Sequence, residues 1–378
     1  MPVVGLPNNN VVWECGLNMV DQPAEGDYEV GTVKDDRMFR FAQLPGRNVL
    51  PGNCSLGQLT SIGHEQHKTL GAHFRALYHD TYGFLPSQYN ADDVWVRAIN
   101  IPRCRQSAQS EIEGMFTPYD AHDEAHDPAF QVVPVLTMDP GTENMSPNFG
   151  ACPNLIKRVA ALQTTPEWAA FEKQTAGLTQ SLLQILKYKS ASVVGSVQYP
   201  FYIGIYDDFA CRNCHDLDLP EGIDQHVFDQ IVDAGTFTVN HWLFNETMAS
   251  IGVGSFFGEL IDAMAQVVDA NGAYSGPKLR LYGGQDLTVG PLLNCLNVFD
   301  NIWPPYASHV SLETWTDAAN KVYVRILYNG AIKTIPGCAE FCPWDTFLAL
   351  TSKNALSPAQ YKDICGVVDP VAHIDMFA

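Results

Sequence analysis

Residues 93–116, DVWVRAINIPRCRQSAQSEIEGMF, read as a single folding step. DVWVRAIN is a short run rich in β-branched and aromatic residues that ends in a turn at Asn100 to Pro102. SAQSEIEGMF behind it predicts a helix. A strand, a polar loop and a helix make the βα step of an α/β sheet, where ligands sit outside the carboxyl ends of the strands. Arg97 lies at such an end.

Comparable segments flank this step. Upstream, CSLGQLTSIGHEQHKTLGAHFRALYHDTYGFLP from Cys54 predicts a turn and then an amphipathic helix. Leu59, Ile62, Leu70, Phe74 and Leu77 supply its apolar stripe, Thr60 or Ser61 its N-cap, and Gly83 with Pro86 its end. Downstream, GSFFGELIDAMAQVV is an apolar helix, PKLRLYGG a strand running into a glycine turn, and QDLTVGPLLNCLNVF another helix. LETWTD and VYVRILYNG, with Asn320 between them, predict an antiparallel hairpin at the sheet edge. Residues 116–245 instead carry helical patterns such as TPEWAAFEKQTAGLTQSLLQIL and DQHVFDQIVDAG. The expected organisation is an α/β domain built from residues 1–115 and 246–378, with 116–245 inserted as a mainly helical cap domain.

Composition narrows the function classes. The 378 residues suffice for about two domains, and 46% hydrophobic with only 17% charged residues excludes a disordered chain. The net charge of −20 repels polyanions, so nucleic acid is not an expected partner. An anionic small substrate would need a local cationic pocket, which makes the arginines informative. No stretch of roughly 18 apolar residues stands out, so no membrane span is expected.

Several motifs offer chemistry and fall short of it. His64 and His67, and His122 and His126, have spacings that chelate zinc from one helix face, but neither pair is HExxH and no third ligand follows. A solvated helix face is the simpler reading, and a zinc hydrolase using His122 and His126 the weakest hypothesis. Cys211-x2-Cys214 has no second pair, and Gly252-x-Gly254-x3-Gly258 misses the dinucleotide fingerprint. Arg97, Arg103 and Arg105 cluster within a short span of an acidic chain, and guanidinium forks suit phosphate oxygens; surface salt bridges explain them equally well. Gly283-Gly284-Gln285-Asp286 puts a carboxylate after a flexible turn, either as a general acid or as a helix N-cap.

Together these pieces resemble the histidine acid phosphatases, the branch that contains lysosomal and prostatic acid phosphatases. GQLTSIGHEQHKTLGAHFRALY is similar to that family's GQLT-x-x-G-x-x-Q-x-x-x-LG helix, and VRAINIPRCRQSAQSEIEGMF to its VRSTD-x-x-RT-x-x-SA-x-x-x-x-x-GLF segment. VVPVLTMDPGTENMSPNFGACPNL resembles the stretch ending in Cys-Pro, IWPPYASHVSLETW the LPPYAS-x-x-x-x-E-L-W or -Y element, and PGCAEFCPWDTF the PGC-x-x-x-CPL-x-x-F element. The resemblance covers essentially the whole chain. It implies a phosphoglycerate-mutase-like α/β fold, a mostly parallel sheet flanked by helices with a helical insert. It also implies hydrolysis of phosphate monoesters through a phosphohistidine, without metal or cofactor, on a small phosphate ester or phosphate anion. Relatives of this kind often form homodimers.

The same resemblance assigns roles and exposes two departures. Arg97 becomes the phosphate-binding arginine and Asp286 the proton donor of the family's His-Asp pair. The histidine of that pair is here Gln285, a neutral amide that can donate one hydrogen bond and cannot supply imidazolium charge. The nucleophilic motif RHG-x-R-x-P does not occur; Pro2 stands where its last residue would fall, with Trp13 to Cys15 following at a natural distance. The expectation is a chain truncated before a central first strand, inactive as it stands. The alternative is a degenerate pseudophosphatase acting as an anion-binding or interaction protein. Disulfides Cys338–Cys342 and Cys152–Cys365 follow from the resemblance, with Cys15–Cys54 added as a weaker pairing; Cys211 lacks its family partner, and Cys214 or Cys295 are candidates to replace it.

The compartment reading has two sides. MPVVGLPNNN lacks the basic and apolar regions of a signal peptide, whereas ten cysteines and sequons at Asn53, Asn144 and Asn245 point to a secreted glycoprotein. Both hold if Met1 is not the natural start. The expected location is the secretory pathway, lysosomal or extracellular.

Overall fold

The computed structural model describes residues 11–13, 50–52, 54–116, 133–188 and 201–366. They divide into two compact units. The first takes the described residues of Met1–Met138, Thr175–Gly235 and Ser275–Gly283; the second those of Asp139–Gln174, Thr236–Tyr274 and Gly284–Ala378. Residues 116–245, read from the sequence as one helical insert, are shared between them.

The first unit is organised by the βα step. Strand β1 (Val94–Ala98) buries Val94, Val96 and Ala98, which meet Ala108, Ile112 and Met115 of helix α2 (Pro102–Met115) in one apolar core. Burial of side chains of this size is worth about 1.5–3 kcal/mol each for the larger members, so the alternation along β1 dictates which face turns inward. Strand β2 (Leu279–Gly283) pairs with β1 in parallel, Arg97 opposite Tyr282 and Ala98 opposite Gly283. On the other edge of β1, Leu136 forms a parallel bridge with Arg97, its N–H donating to the Val96 carbonyl at 3.0 Å. Gly283 is required here, because a Cβ would sit 2.7 Å from the Cys104 carbonyl oxygen of α2.

Helix α1 (Ser61–Phe74) starts at Thr60, whose Oγ1 accepts from the Gly63 N–H at 3.1 Å, and runs on into wider π-type turns over Arg75–Thr81. It packs against α2 with the backbones in direct contact. A Cβ on Gly71 would overlap the Glu111 carbonyl, and one on Gly114 the Lys68 carbonyl. Neither obstacle is a side chain that could rotate away. Gly114→Ala is therefore expected to lower unfolding stability by about 1–3 kcal/mol or more. In chemical denaturation the midpoint should fall with an unchanged slope, and an unshifted midpoint would contradict the packing described.

Helix α5 (Phe201–Cys214) also belongs to the first unit, and its Asp208 and Arg212 form an ion pair at 2.5 Å with both side chains fully buried. Arg212 donates further to the Asp218 carbonyl at 3.0 Å.

In the second unit, helix α7 (Glu246–Asp269) packs against α8 (Asp286–Cys295) and α10 (Pro358–Cys365). By length and composition alone α7 would suffice to cross a membrane. Its Ile251, Val253, Phe256 and Phe257 are instead buried, and its Gly254 carbonyl accepts the Leu356 N–H at 2.9 Å. Helix α3 (Pro153–Leu162) is tied to α10 by the Cys152–Cys365 disulfide.

Strands β3 (Val310–Thr316) and β4 (Val322–Tyr328) form the expected antiparallel hairpin. Asn320 takes φ +61° in its turn, a conformation asparagine tolerates well. The hairpin does not edge the β1–β2 sheet. It belongs to a separate antiparallel sheet with β5 (Ala331–Lys333) and β6 (Cys342–Pro343). Asn329 and Gly330, both at positive φ, make the two-residue turn from β4 to β5.

Candidate functional site

Arg97 is the penultimate residue of β1 and is buried. β1 hands directly to α2: the Ile99 N–H donates to the Gly283 carbonyl at 3.0 Å, Ile101 takes the N-cap position without a side-chain cap, and Pro102 occupies the first turn, where its missing N–H costs nothing. Arg103 and Arg105 stand in that first turn, half-buried. Arg105 donates to Asn100 Oδ1 at 2.5 Å, and burial pulls its guanidinium below the usual arginine range while leaving it a cation. The three arginines thus share one strand-to-helix turn. Helix N-termini and guanidinium groups both favour anions.

Gln285 and Asp286 open α8. The N-cap is Gln285, not Asp286: the Gln285 carbonyl accepts from the N–H groups of Thr288 (2.7 Å) and Val289 (3.0 Å), and its own N–H donates to Thr288 Oγ1 at 3.1 Å. Asp286 is the first helical residue. Its Oδ1 accepts from the Leu287 N–H at 2.9 Å and its Oδ2 from the Trp303 indole N–H at 2.6 Å. Each carboxyl oxygen keeps a second lone-pair direction, so the group can still carry a proton. Trp303 was not singled out from the sequence. The signal for it is chemical, since a buried indole requires an acceptor. Arg97 is in register with Tyr282, three residues ahead of Gln285 along the chain.

The remaining candidates distribute as follows. His64 and His67 do not form a solvated face. His64 is buried with Nδ1 2.5 Å from Ser110 Oγ and Nε2 3.6 Å from Glu113, and His67 Nδ1 lies 3.5 Å from Glu111, all across the α1–α2 contact. Because the Ser110 hydroxyl donates to the Gln106 carbonyl at 2.7 Å, His64 Nδ1–H must be the donor to Ser110. Among the described residues no group of three or more metal-ligating side chains converges. His122 and His126 lie outside the described residues, as do Cys15 and Asn53.

Cys152–Cys365 and Cys338–Cys342 are disulfides, and Cys54 is disulfide-bonded as well. Cys211, Cys214 and Cys295 are thiols, so neither candidate replaces the family partner of Cys211. Burial pushes the Cys295 thiol up to about 12. Two of the sequon asparagines have side-chain partners. Asn144 is buried with Nδ2 donating to Glu259 at 2.7 Å, and Asn245 caps α7 with Oδ1 while its Nδ2 donates to the His241 carbonyl at 2.7 Å. Glycan attachment needs that amide nitrogen exposed.

Comparison with known proteins gives these positions a context. The model of the histidine phosphatase superfamily (branch 2) matches residues 21–195 and 218–329. Counting factor 60 of Dictyostelium discoideum is 34% identical over 93% of this chain and 82% of its own length. Lysophosphatidic acid phosphatase type 6 of Bos taurus is 28% identical over 96% and 82%, and lysosomal acid phosphatase of Xenopus laevis 27% over 78% and 68%. The Hafnia alvei phytase in complex with myo-inositol hexakis sulphate superposes with a TM-score of 0.59 over 84% of this chain and 91% of that one, at 16% identity, a likeness of fold. A parallel βα core with these helices, matched in sequence along most of its length, means that the chain belongs to the histidine phosphatase superfamily, branch 2.

Proposed function

We propose that this chain binds the phosphoryl group of a phosphate monoester at Arg97 and that Asp286 is its proton donor, within the phosphohistidine chemistry of the family. The observation that carries the reading is that both residues follow from paired parallel strands: Arg97 is the penultimate residue of β1, and Asp286 begins the helix that follows β2. Carboxyl ends of parallel strands are where such folds hold ligands. The acid phosphatase relatives support the substrate class. Disulfides at Cys152–Cys365 and Cys338–Cys342 support a secretory, lysosomal or extracellular location, where thiols are oxidised.

One feature favours a second reading. Gln285 stands in place of the cationic partner of Asp286. On this reading the scaffold holds a phosphate anion without turning it over. Both readings require Arg97. Replacing a charged hydrogen-bond donor to phosphate costs about 1.5–3 kcal/mol, so Arg97→Gln is expected to weaken inorganic phosphate binding about ten- to a hundredfold by calorimetry. Unchanged affinity in a variant with unaltered melting would remove both.

A further inference from the structure

Trp303 is 7% exposed and lies in the loop joining α8 to β3. Its indole N–H needs an acceptor once buried and takes Oδ2 of Asp286 at 2.6 Å, while Oδ1 receives the Leu287 N–H at 2.9 Å. The two donors differ in kind. Leu287 sits in the same helical turn as Asp286 and moves with it, whereas Trp303 comes from a separate segment. A carboxyl held by one donor can turn about its Cβ–Cγ bond; held at both oxygens, it cannot turn without losing a bond. The related motif has leucine at this place, LPPYAS against Trp303 to Ser308 here, and leucine has nothing to donate.

We propose that Trp303 is a positioning residue for Asp286: the indole fixes the plane of the carboxyl and keeps Oδ2 an acceptor, so that Oδ1 carries the proton. This rests on the proton-donor role proposed above. As a nucleophile, the histidine of the family's phosphohistidine chemistry supplied by an upstream extension, bonds to phosphorus, the phosphorus–oxygen bond breaks, and the leaving oxygen keeps the bonding pair and takes the proton from Oδ1. Asp286 is left as a carboxylate that accepts from both donors.

The first test needs no turnover. Trp303 is one of seven tryptophans, and its indole N–H resonance is identified by its loss in Trp303→Leu, with the other indole resonances reporting that the fold persists. In the unsubstituted chain this resonance should move with pH, and in Asp286→Asn it should stay still. The same pH response in both proteins overturns the proposal.

The second test separates positioning from structure in the Gln285→His background of the chain extended upstream of Met1. p-Nitrophenyl phosphate has a leaving group that needs little protonation; glycerol phosphate leaves as an alkoxide that needs it. Trp303→Leu is expected to lower kcat/KM about tenfold for glycerol phosphate and less than about twofold for p-nitrophenyl phosphate. Equal losses on both overturn the positioning role. Absence of turnover in the parent counts against the proposed function instead, and the indole titration then decides the role of Trp303.

Discussion

Turnover of p-nitrophenyl phosphate in acid buffer is expected to rise by about a hundred- to a thousandfold when Gln285 is replaced by histidine in a chain extended upstream of Met1. Gln285 can offer a phosphate oxygen one neutral hydrogen bond, whereas an imidazolium offers a charge-assisted one. The fold tolerates the exchange. Gln285 caps α8 with its backbone, accepting from Thr288 and Val289 with φ −149° and ψ 179°, an extended conformation open to histidine. The change therefore alters the chemistry and leaves the backbone cap bonds of Gln285 in place. Comparison of this chain, the extended chain and the extended Gln285→His chain gives three readable results. Activity in the extended parent, unimproved by histidine, would show that the amide suffices. Activity only with histidine would show that Gln285 marks a phosphatase turned binding protein. Silence in all three would remove the hydrolase reading.

The largest loss of stability is expected in α5. Asp208→Ala should cost about 3–5 kcal/mol, because it strands a fully buried guanidinium whose main partner is that carboxylate. Replacing both residues together, Asp208→Leu with Arg212→Met, should cost far less, since the desolvation penalty of two ions disappears with them. Denaturation of the single and double variants forms the cycle; an additive double variant would mean that the pair does not act as a unit. The pH dependence has a definite sign. Burial raises Asp208 above its ordinary value of 3.8 against the opposing pull of Arg212. A raised carboxyl binds its proton more tightly in the folded state, so its contribution is complete below the unfolded value and is lost as pH rises through the folded one. Relative to Asp208→Asn, the unsubstituted protein should gain stability on acidification through that window.

What could be read in advance follows the range of the interactions. The step at residues 93–116 was legible because strand, turn and helix are each decided by neighbours in sequence: β-branched residues, then Asn100 and Pro102, then a helical run. Thr60 as N-cap and the hairpin around Asn320 were legible for the same reason. The surroundings of His64 were not, because Ser110 stands 46 residues away and the two helices come that close where Gly71 lies against the Glu111 backbone and Gly114 against that of Lys68. Trp303 and Asp286 likewise meet across 17 residues. Asp208 and Arg212 were within reach at helical spacing, yet nothing in an i,i+4 pair says whether it faces water or the core.

The bond between Cys152 and Cys365 closes a covalent ring across 213 residues. A protease that cuts once inside the ring opens it to a branched chain but releases nothing, because both products stay joined through sulfur. Shedding a fragment takes a second cut or a reductant. In surroundings rich in proteases, a molecule nicked once inside the ring would keep its mass, and only a reducing gel would reveal the cut.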